Sequence, residues 1–401
     1  MVKFSGCAVR ELIDCSDNSI LAFDVTLSDG SIGRASAAYD GHKTGKPGEA
    51  LALARERTRR MAAGLAAIDV FDQTAVDRVI VEAGDRSGRI NAGLGFSLAV
   101  AKAAAASRRL PFARYIGNIT DLRLPRPLFS LIRGGDPVGN QLDFSEFMLV
   151  PAAASFLEQL RMCRLIYRTL RQQLAACGRA VCDATGAFIP RLLAGEEALA
   201  LLRSAMEQAG YQPGRQAGLA INAAAADYFV NGEYNFWREG RVHTPAELIA
   251  YYCRLADDYS VVAIENAVAA ADGLGWRHLR RLEDGVQLLG QELPAAAMGI
   301  FACQTKPAYG VVLSPAEADS VTGLLAAARR IRSAGCGWVA NLSGPVDAES
   351  LAGCAVGGQA DAIKLGPPLG HQADVCNQLL RLQAVGSPPQ QVACRGGQAG
   401  G

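Results

Sequence analysis

The sequence predicts an α/β protein, with a compact α+β unit followed by a domain in which strands and helices alternate about eight times. Three observations point to it. Short apolar runs flank a turn signal near the start, long helical segments follow, and after Pro125 strand-length apolar runs alternate with amphipathic stretches. A chain of 401 residues with 50% hydrophobic content can bury one large core and a smaller one, so two domains in close contact are expected.

Residues 21–38 carry short apolar runs around Ser28-Asp29-Gly30, the pattern of an antiparallel hairpin. From Ala50 to about Arg109 the chain reads as Ala/Leu/Arg segments with helical spacing, interrupted at Gly84 to Gly88 and at Asn91 to Gly95. Pro125 and Pro127 mark the next boundary. Beyond it, strand-length runs fall near Glu146–Val150, Ala180–Asp183, Gly218–Asn222, Val261–Glu265, Val286–Gly290, Ile300–Cys303, Trp338–Asn341 and Ala362–Leu365. About eight strands is the number a closed (β/α) barrel needs, although an open doubly wound sheet has the same rhythm.

Between the runs, Phe156, Leu160, Cys163, Tyr167, Leu170 and Leu174 share one side of a helix, and Arg161, Arg164, Arg168 and Arg171 line another. The arginine stripe is read as a solvated face ahead of a site for an anionic partner. After Leu382 no periodic pattern continues. The expected division is 1–124, 125–385 and a flexible tail 386–401.

Lys and Arg number 40 against 39 Asp and Glu, so no global field favours nucleic acid or an anionic membrane. A small acidic ligand or a second copy of the chain is the expected partner. Eleven cysteines include no Cys-x-x-Cys pair, and Cys163, Cys177, Cys253, Cys303 and Cys376 sit in apolar runs, which reads as reduced, buried thiols. No leader pattern and no uncharged stretch of roughly 18 residues is found, so a cytoplasmic protein is expected.

Several segments together resemble the enolase (phosphopyruvate hydratase) family from about Cys7 to Leu382. Asn91-Ala-Gly-Leu-Gly-Phe-Ser-Leu-Ala-Val-Ala-Lys-Ala is similar to its cap-domain helix start, and Gly139-Asn-Gln-Leu-Asp-Phe-Ser-Glu-Phe-Met-Leu-Val-Pro to its Gln-Glu-Phe-Met strand. Tyr259-Ser-Val-Val-Ala-Ile-Glu-Asn resembles its Ser-Ile-Glu-Asp strand, and Asn377-Gln-Leu-Leu-Arg-Leu its C-terminal helix. The resemblance implies an N-terminal α+β cap over a TIM-like barrel, a site at the C-terminal strand ends, and a homodimer. An Arg of the family's Arg-Ser-Glu-Arg interface segment is missing from Leu369-Gly-His-Gln-Ala-Asp.

The family's reaction removes a weakly acidic proton beside a carboxylate and expels hydroxide, helped by two magnesium ions and a lysine base. Its three metal carboxylates correspond to Asn222, Glu265 and Gln291, so one of three is retained and metal binding at enolase strength is not expected, weak magnesium binding at most. As a lone carboxylate, Glu265 is read first as a buried group hydrogen-bonded to neighbours. Asp227 and Glu292 match other family positions.

With Gly310 as anchor, the base corresponds to Thr305, which cannot take the proton at neutral pH; adjacent Lys306 is a weaker candidate. Of two paired glutamates, Glu146 is retained and Ala184 stands for the second. The phosphate turn reads Asn341-Leu342-Ser343, which leaves Ser343 without the histidine and the arginine. The mobile-loop histidine reads Pro137, the catalytic-loop serine Asp40, and Lys364 matches the lysine that contacts substrate carboxylate. The resulting expectation is an enolase-like pseudoenzyme serving in binding or assembly. The competing expectations are a repurposed lyase on another small acid using Glu146, Lys364, Lys306 and Glu265, and residual magnesium-dependent phosphopyruvate hydratase activity.

Overall fold

Strands β1 (Phe4–Ile13), β2 (Ser19–Leu27) and β3 (Ile32–Ala38) form an antiparallel sheet in that order. The computed structural model describes residues 2–14, 17, 19–38, 49–83, 91–135, 140–282, 285–291, 309–342, 344 and 346–386. The hairpin expected at Ser28-Asp29-Gly30 joins β2 to β3, with Gly30 at φ +84° and its N–H donating to Leu27 O at 3.0 Å. Strand β1 went unread because it is mostly exposed, with Val9 its one buried residue.

Helices α1 (Glu49–Gly64), α2 (Gln73–Ala83), α3 (Ala92–Ser107) and α4 (Phe112–Gly117) follow. Asn91 to Gly95 is a helix start, not an interruption: Asn91 Oδ1 accepts from Leu94 N at 3.1 Å and caps α3. Gly95 is needed for close approach, since a Cβ there would lie 2.4 Å from the Phe23 ring. Residues 84–88 lie outside the described residues.

The second unit contains β4 (Arg126–Arg133), β5 (Glu146–Pro151), α5 (Phe156–Ala176), α6 (Gly195–Gln208) and β6 (Ala217–Asn222). A small antiparallel sheet of β7 (Phe229–Val230), β8 (Glu233–Phe236) and β9 (Arg241–His243) precedes α7 (Pro245–Tyr259). The chain continues through β10 (Val261–Glu265), α8 (Gly273–His278), β11 (Gln287–Gly290), β12 (Tyr309–Leu313), α9 (Val321–Ser333), β13 (Gly337–Asn341), α10 (Ala348–Gly357), β14 (Ala362–Leu365) and α11 (Gly370–Gly386). Eight strands close in the order β10-β11-β12-β13-β14-β4-β5-β6. The open sheet is thereby excluded.

The closure corrects the strand list. Ala180–Asp183 is not a barrel strand, because Asp183 Oδ1 accepts from Thr185 N and Ala187 N at 2.8 and 3.0 Å and bends the chain into a turn. Its place is taken by Arg126–Arg133. Ile300–Cys303 lies outside the described residues, and Tyr309–Leu313 holds the barrel position between β11 and β13. Strand β5 runs antiparallel to both β4 and β6, which breaks the expected parallel pattern. Among the described residues no helix separates β4 from β5, and a connection that short joins antiparallel neighbours.

One residue from each strand builds the barrel interior: Leu128, Met148, Ala220, Ala263, Leu289, Val312, Val339 and Ala362. The outer faces pack under the helices. On α5 the six predicted apolar residues are buried, and the four arginines are exposed. The cap sheet and helices join the barrel by capping its helices. Thr322 N donates to Asp77 Oδ2 at 2.7 Å and Val321 N to Ser97 Oγ at 3.0 Å, both at the start of α9. Lys102 Nζ lies 2.6 Å from Asp347 Oδ1, the N-cap of α10.

Two smaller expectations change. Cys177 is exposed and Cys253 half-buried, because Cys177 sits at the end of α5 where the apolar face has ended; Cys163 and Cys376 are buried and Cys303 is outside the described residues. Helix α11 runs past Leu382 to Gly386. Among the described residues no helix is long and apolar enough to cross a membrane.

Candidate functional site

Strand alternation positions the site. In seven strands the residue two beyond the interior layer faces the same way at the C-terminal end, and in reversed β5 the residue two before it does. The rule picks out Ser130, Glu146, Asn222, Glu265, Gln291, Ser314, Asn341 and Lys364. Every one is polar, above a layer that is wholly apolar.

Lys364 reaches across this ring. Its Nζ lies 2.5 Å from Glu146 Oε2 and 2.6 Å from Glu265 Oε2. Arg133 Nη2 contacts Glu146 Oε1 at 3.2 Å, and Arg133 Nη1 contacts Asp183 Oδ2 at 3.5 Å. Glu265 is fully buried and Lys364 7% exposed, so one ammonium faces two carboxylates largely out of water. Glu265 Oε1 accepts no hydrogen bond among the described residues.

Burial disfavours the Glu146 carboxylate, yet the charges of Lys364 and Arg133 and a hydrogen bond from Asn222 outweigh it and hold the pKa below the usual value. Glu265 goes the other way. Burial raises its pKa, and Lys364 offsets only part of that while Glu146 adds to it. For Lys364 burial acts to lower the pKa, but the two carboxylates override it and raise it. A lysine and a carboxyl whose pKa values are both raised are thus in direct contact.

The amides are committed as well. Asn222 Oδ1 accepts from Ala224 N at 3.1 Å and from Asn266 Nδ2 at 3.2 Å, which fixes the orientation of both side chains. Asn266 itself holds a left-handed backbone at φ +52° just beyond β10. Gln291 is exposed at the end of β11, and Asn341 is half-buried at the end of β13. A cleft of about 400 Å³ opens beside the ends of β6, β10 and β11 and is lined in part by Ser145, Asn222, Asn266 and Gln291.

The structure brings Glu146, Asn222, Glu265, Gln291, Asn341 and Lys364 to one end of the barrel. Ala184 is exposed in the turn that carries Asp183, and Asp227 is exposed at the cleft margin. Thr305, Lys306, Ser343, Glu292, Pro137 and Asp40 lie outside the described residues. The anchor used for Thr305 is corrected: Gly310 lies inside β12, paired with Leu289 and Gly337, not in the loop after the strand. The residue at the C-terminal end of that strand is Ser314, buried, with its Oγ accepting from Ala316 N at 3.2 Å.

Sequence reasoning missed Ser130, Arg133, Ser314 and Asn266. Ser130 was hidden with its strand, and its buried hydroxyl has no partner among the described residues. Alternation from Val312 would have found Ser314 once Tyr309–Leu313 was taken as the strand. Among the described residues no group of three or more His, Cys, Asp or Glu side chains is placed to hold a metal ion. Compared with known families, residues 121–391 match the model of the enolase C-terminal TIM barrel domain.

Proposed function

The chain belongs to the enolase family, whose C-terminal TIM barrel domain matches most of its length, and we propose that it is a member that does not dehydrate 2-phosphoglycerate efficiently and acts by binding. The observation that carries this is the Lys364 bridge between Glu146 and Glu265. An ammonium on one Glu265 oxygen competes with any cation for that carboxylate. The Asn222 oxygen already accepts two hydrogen bonds, and Gln291 supplies only a neutral oxygen. Magnesium favours hard, charged oxygen ligands, and this donor set does not fit it.

The phosphate side supports the same reading. Leu342, fully buried and apolar, stands where the family has arginine, and Asn341 offers an amide where it has histidine. A phosphorylated substrate would meet no bidentate clamp there. The homodimer implied by the resemblance belongs to this proposal, with the oligomer as the unit that binds.

A repurposed lyase is the second reading, favoured by the raised Glu265 and Lys364 proton affinities inside one buried cluster. The test is a calorimetric magnesium titration with and without 2-phosphoglycerate, with the dehydration rate followed beside an authentic enolase. No saturable heat and no turnover are expected. Saturable binding with turnover would overturn the proposal.

A further inference from the structure

The cleft beside β6, β10 and β11 is built unlike an anion site. Trp276, Leu279 and Leu288 form apolar wall, and Asn222, Asn266 and Gln291 supply amides. Asp227 is the one charged side chain in the lining among the described residues, and it repels an anion. The Lys364 charge is consumed by Glu146 and Glu265 and does not line the cleft.

Two polar atoms converge at the end of β11. A Cβ on Gly290 would stand 2.0 Å from Tyr309 Oη and 3.5 Å from Asn266 Oδ1, so glycine is what lets the Tyr309 hydroxyl sit against the strand end beside Asn266. One of the two Asn266 Nδ2 hydrogens is given to Asn222, and Oδ1 is the acceptor this side chain can offer a ligand. It is an acceptor, and it calls for a donor. Gln291, exposed at the same strand end, carries an amide N–H pair for a ligand carbonyl.

We propose that this cleft takes a small uncharged molecule carrying a carboxamide or equivalent donor–acceptor group on a flat apolar body. The inference rests on the reading of a non-dehydrating site and names its ligand class. The ligand's N–H meets Asn266 Oδ1, its carbonyl meets Gln291, and its flat body lies along the wall of Trp276 and Leu279. A carboxylate presents acceptors alone and leaves Asn266 Oδ1 facing a like dipole. An ammonium can donate to Asn266 Oδ1, but it offers no acceptor to the Gln291 amide N–H pair and its charge gains only Asp227, which is exposed and screened by water.

Benzamide, benzoate and benzylammonium share one skeleton and differ in head-group charge, so their titration by ligand-observed NMR on the full chain separates the classes. Benzamide is expected to bind at least about tenfold more tightly than the other two, the discrimination an unpaired polar atom imposes. Gln291→Ala, at an exposed position that leaves the fold intact, should weaken benzamide, and Asn266→Asp should shift preference toward benzylammonium. Benzoate or benzylammonium binding as tightly as benzamide, indifference of benzamide to both variants, or no binding of any probe would overturn the ligand class. Magnesium-dependent displacement of benzamide by 2-phosphoglycerate with turnover would instead overturn the non-dehydrating reading, so the two failures are distinct.

Discussion

Lys364 Nζ and Glu265 Oε2 lie 2.6 Å apart, from strands β14 and β10 that are not neighbours in the barrel. The contact crosses the barrel mouth and ties opposite walls together. With Glu146 on the same ammonium, it makes a buried cluster whose members are costly to separate.

Removing the cation tests that cost. Lys364→Met leaves buried Glu265 without a cation and Glu146 with Arg133 alone, and should destabilise the fold by about 3–5 kcal/mol in urea unfolding. Adding Glu265→Gln should recover part of the loss, because one buried charge then disappears. A cost under about 1 kcal/mol for the single change would mean that water reaches the cluster.

Restoring carboxylates tests the amide positions. Asn222→Asp with Gln291→Asp should raise magnesium affinity by at least about tenfold in calorimetry, since two hard anionic ligands return beside Glu265. An unchanged isotherm would place the obstacle in the Lys364 bridge instead of the amides.

A second buried carboxylate predicts a pH effect away from the barrel mouth. Burial pushes the Glu239 pKa up from 4.5 to about 7, with the hydrogen bond from Gly195 N opposing it. A carboxyl raised on folding binds its proton more tightly in the native state, so its contribution is full below pH 4.5 and is lost as pH rises toward about 7. Asp143, also raised by burial, acts with the same sign. Glu239→Gln keeps an acceptor for Gly195 and should flatten the stability profile across that window, read as Tm against pH; an unaltered slope would assign it to Asp143.

The cap is held by side chains that cap a barrel helix. Asp77 accepts from Thr322 N at 2.7 Å and from Ser97 Oγ at 2.6 Å. Asp77→Ala should cost about 1–3 kcal/mol by stranding both donors. Protease protection of the cap should fall in step, and a loss of stability with unchanged protection would show that the cap is held elsewhere.

Asn222, Glu265 and Lys364 were legible through the family resemblance, and strand alternation, which is local, accounts for their sharing one face. The cap-helix start at Asn91 was legible as a motif, although its glycines imitated a break; Gly95 is there for contact with the cap sheet, as its approach to Phe23 shows. Thr305 was misanchored because Ile300–Cys303 and Tyr309–Leu313 are both strand-like runs. Pairing of Leu289 with Gly310 and of Val312 with Val339 decides which one enters the barrel.

Residue types and their periodicity were enough to specify the α/β rhythm and most of the strands, because each is a property of a short segment, while the barrel and the metal-ligand positions were expected from the family resemblance. The Lys364 bridge, the reversal of β5 and the choice of Arg126–Arg133 over Ala180–Asp183 came from closure. Closure is a condition on all eight strands together. It brings residues 99 positions apart, Glu265 and Lys364, into one ion pair that no local pattern encodes.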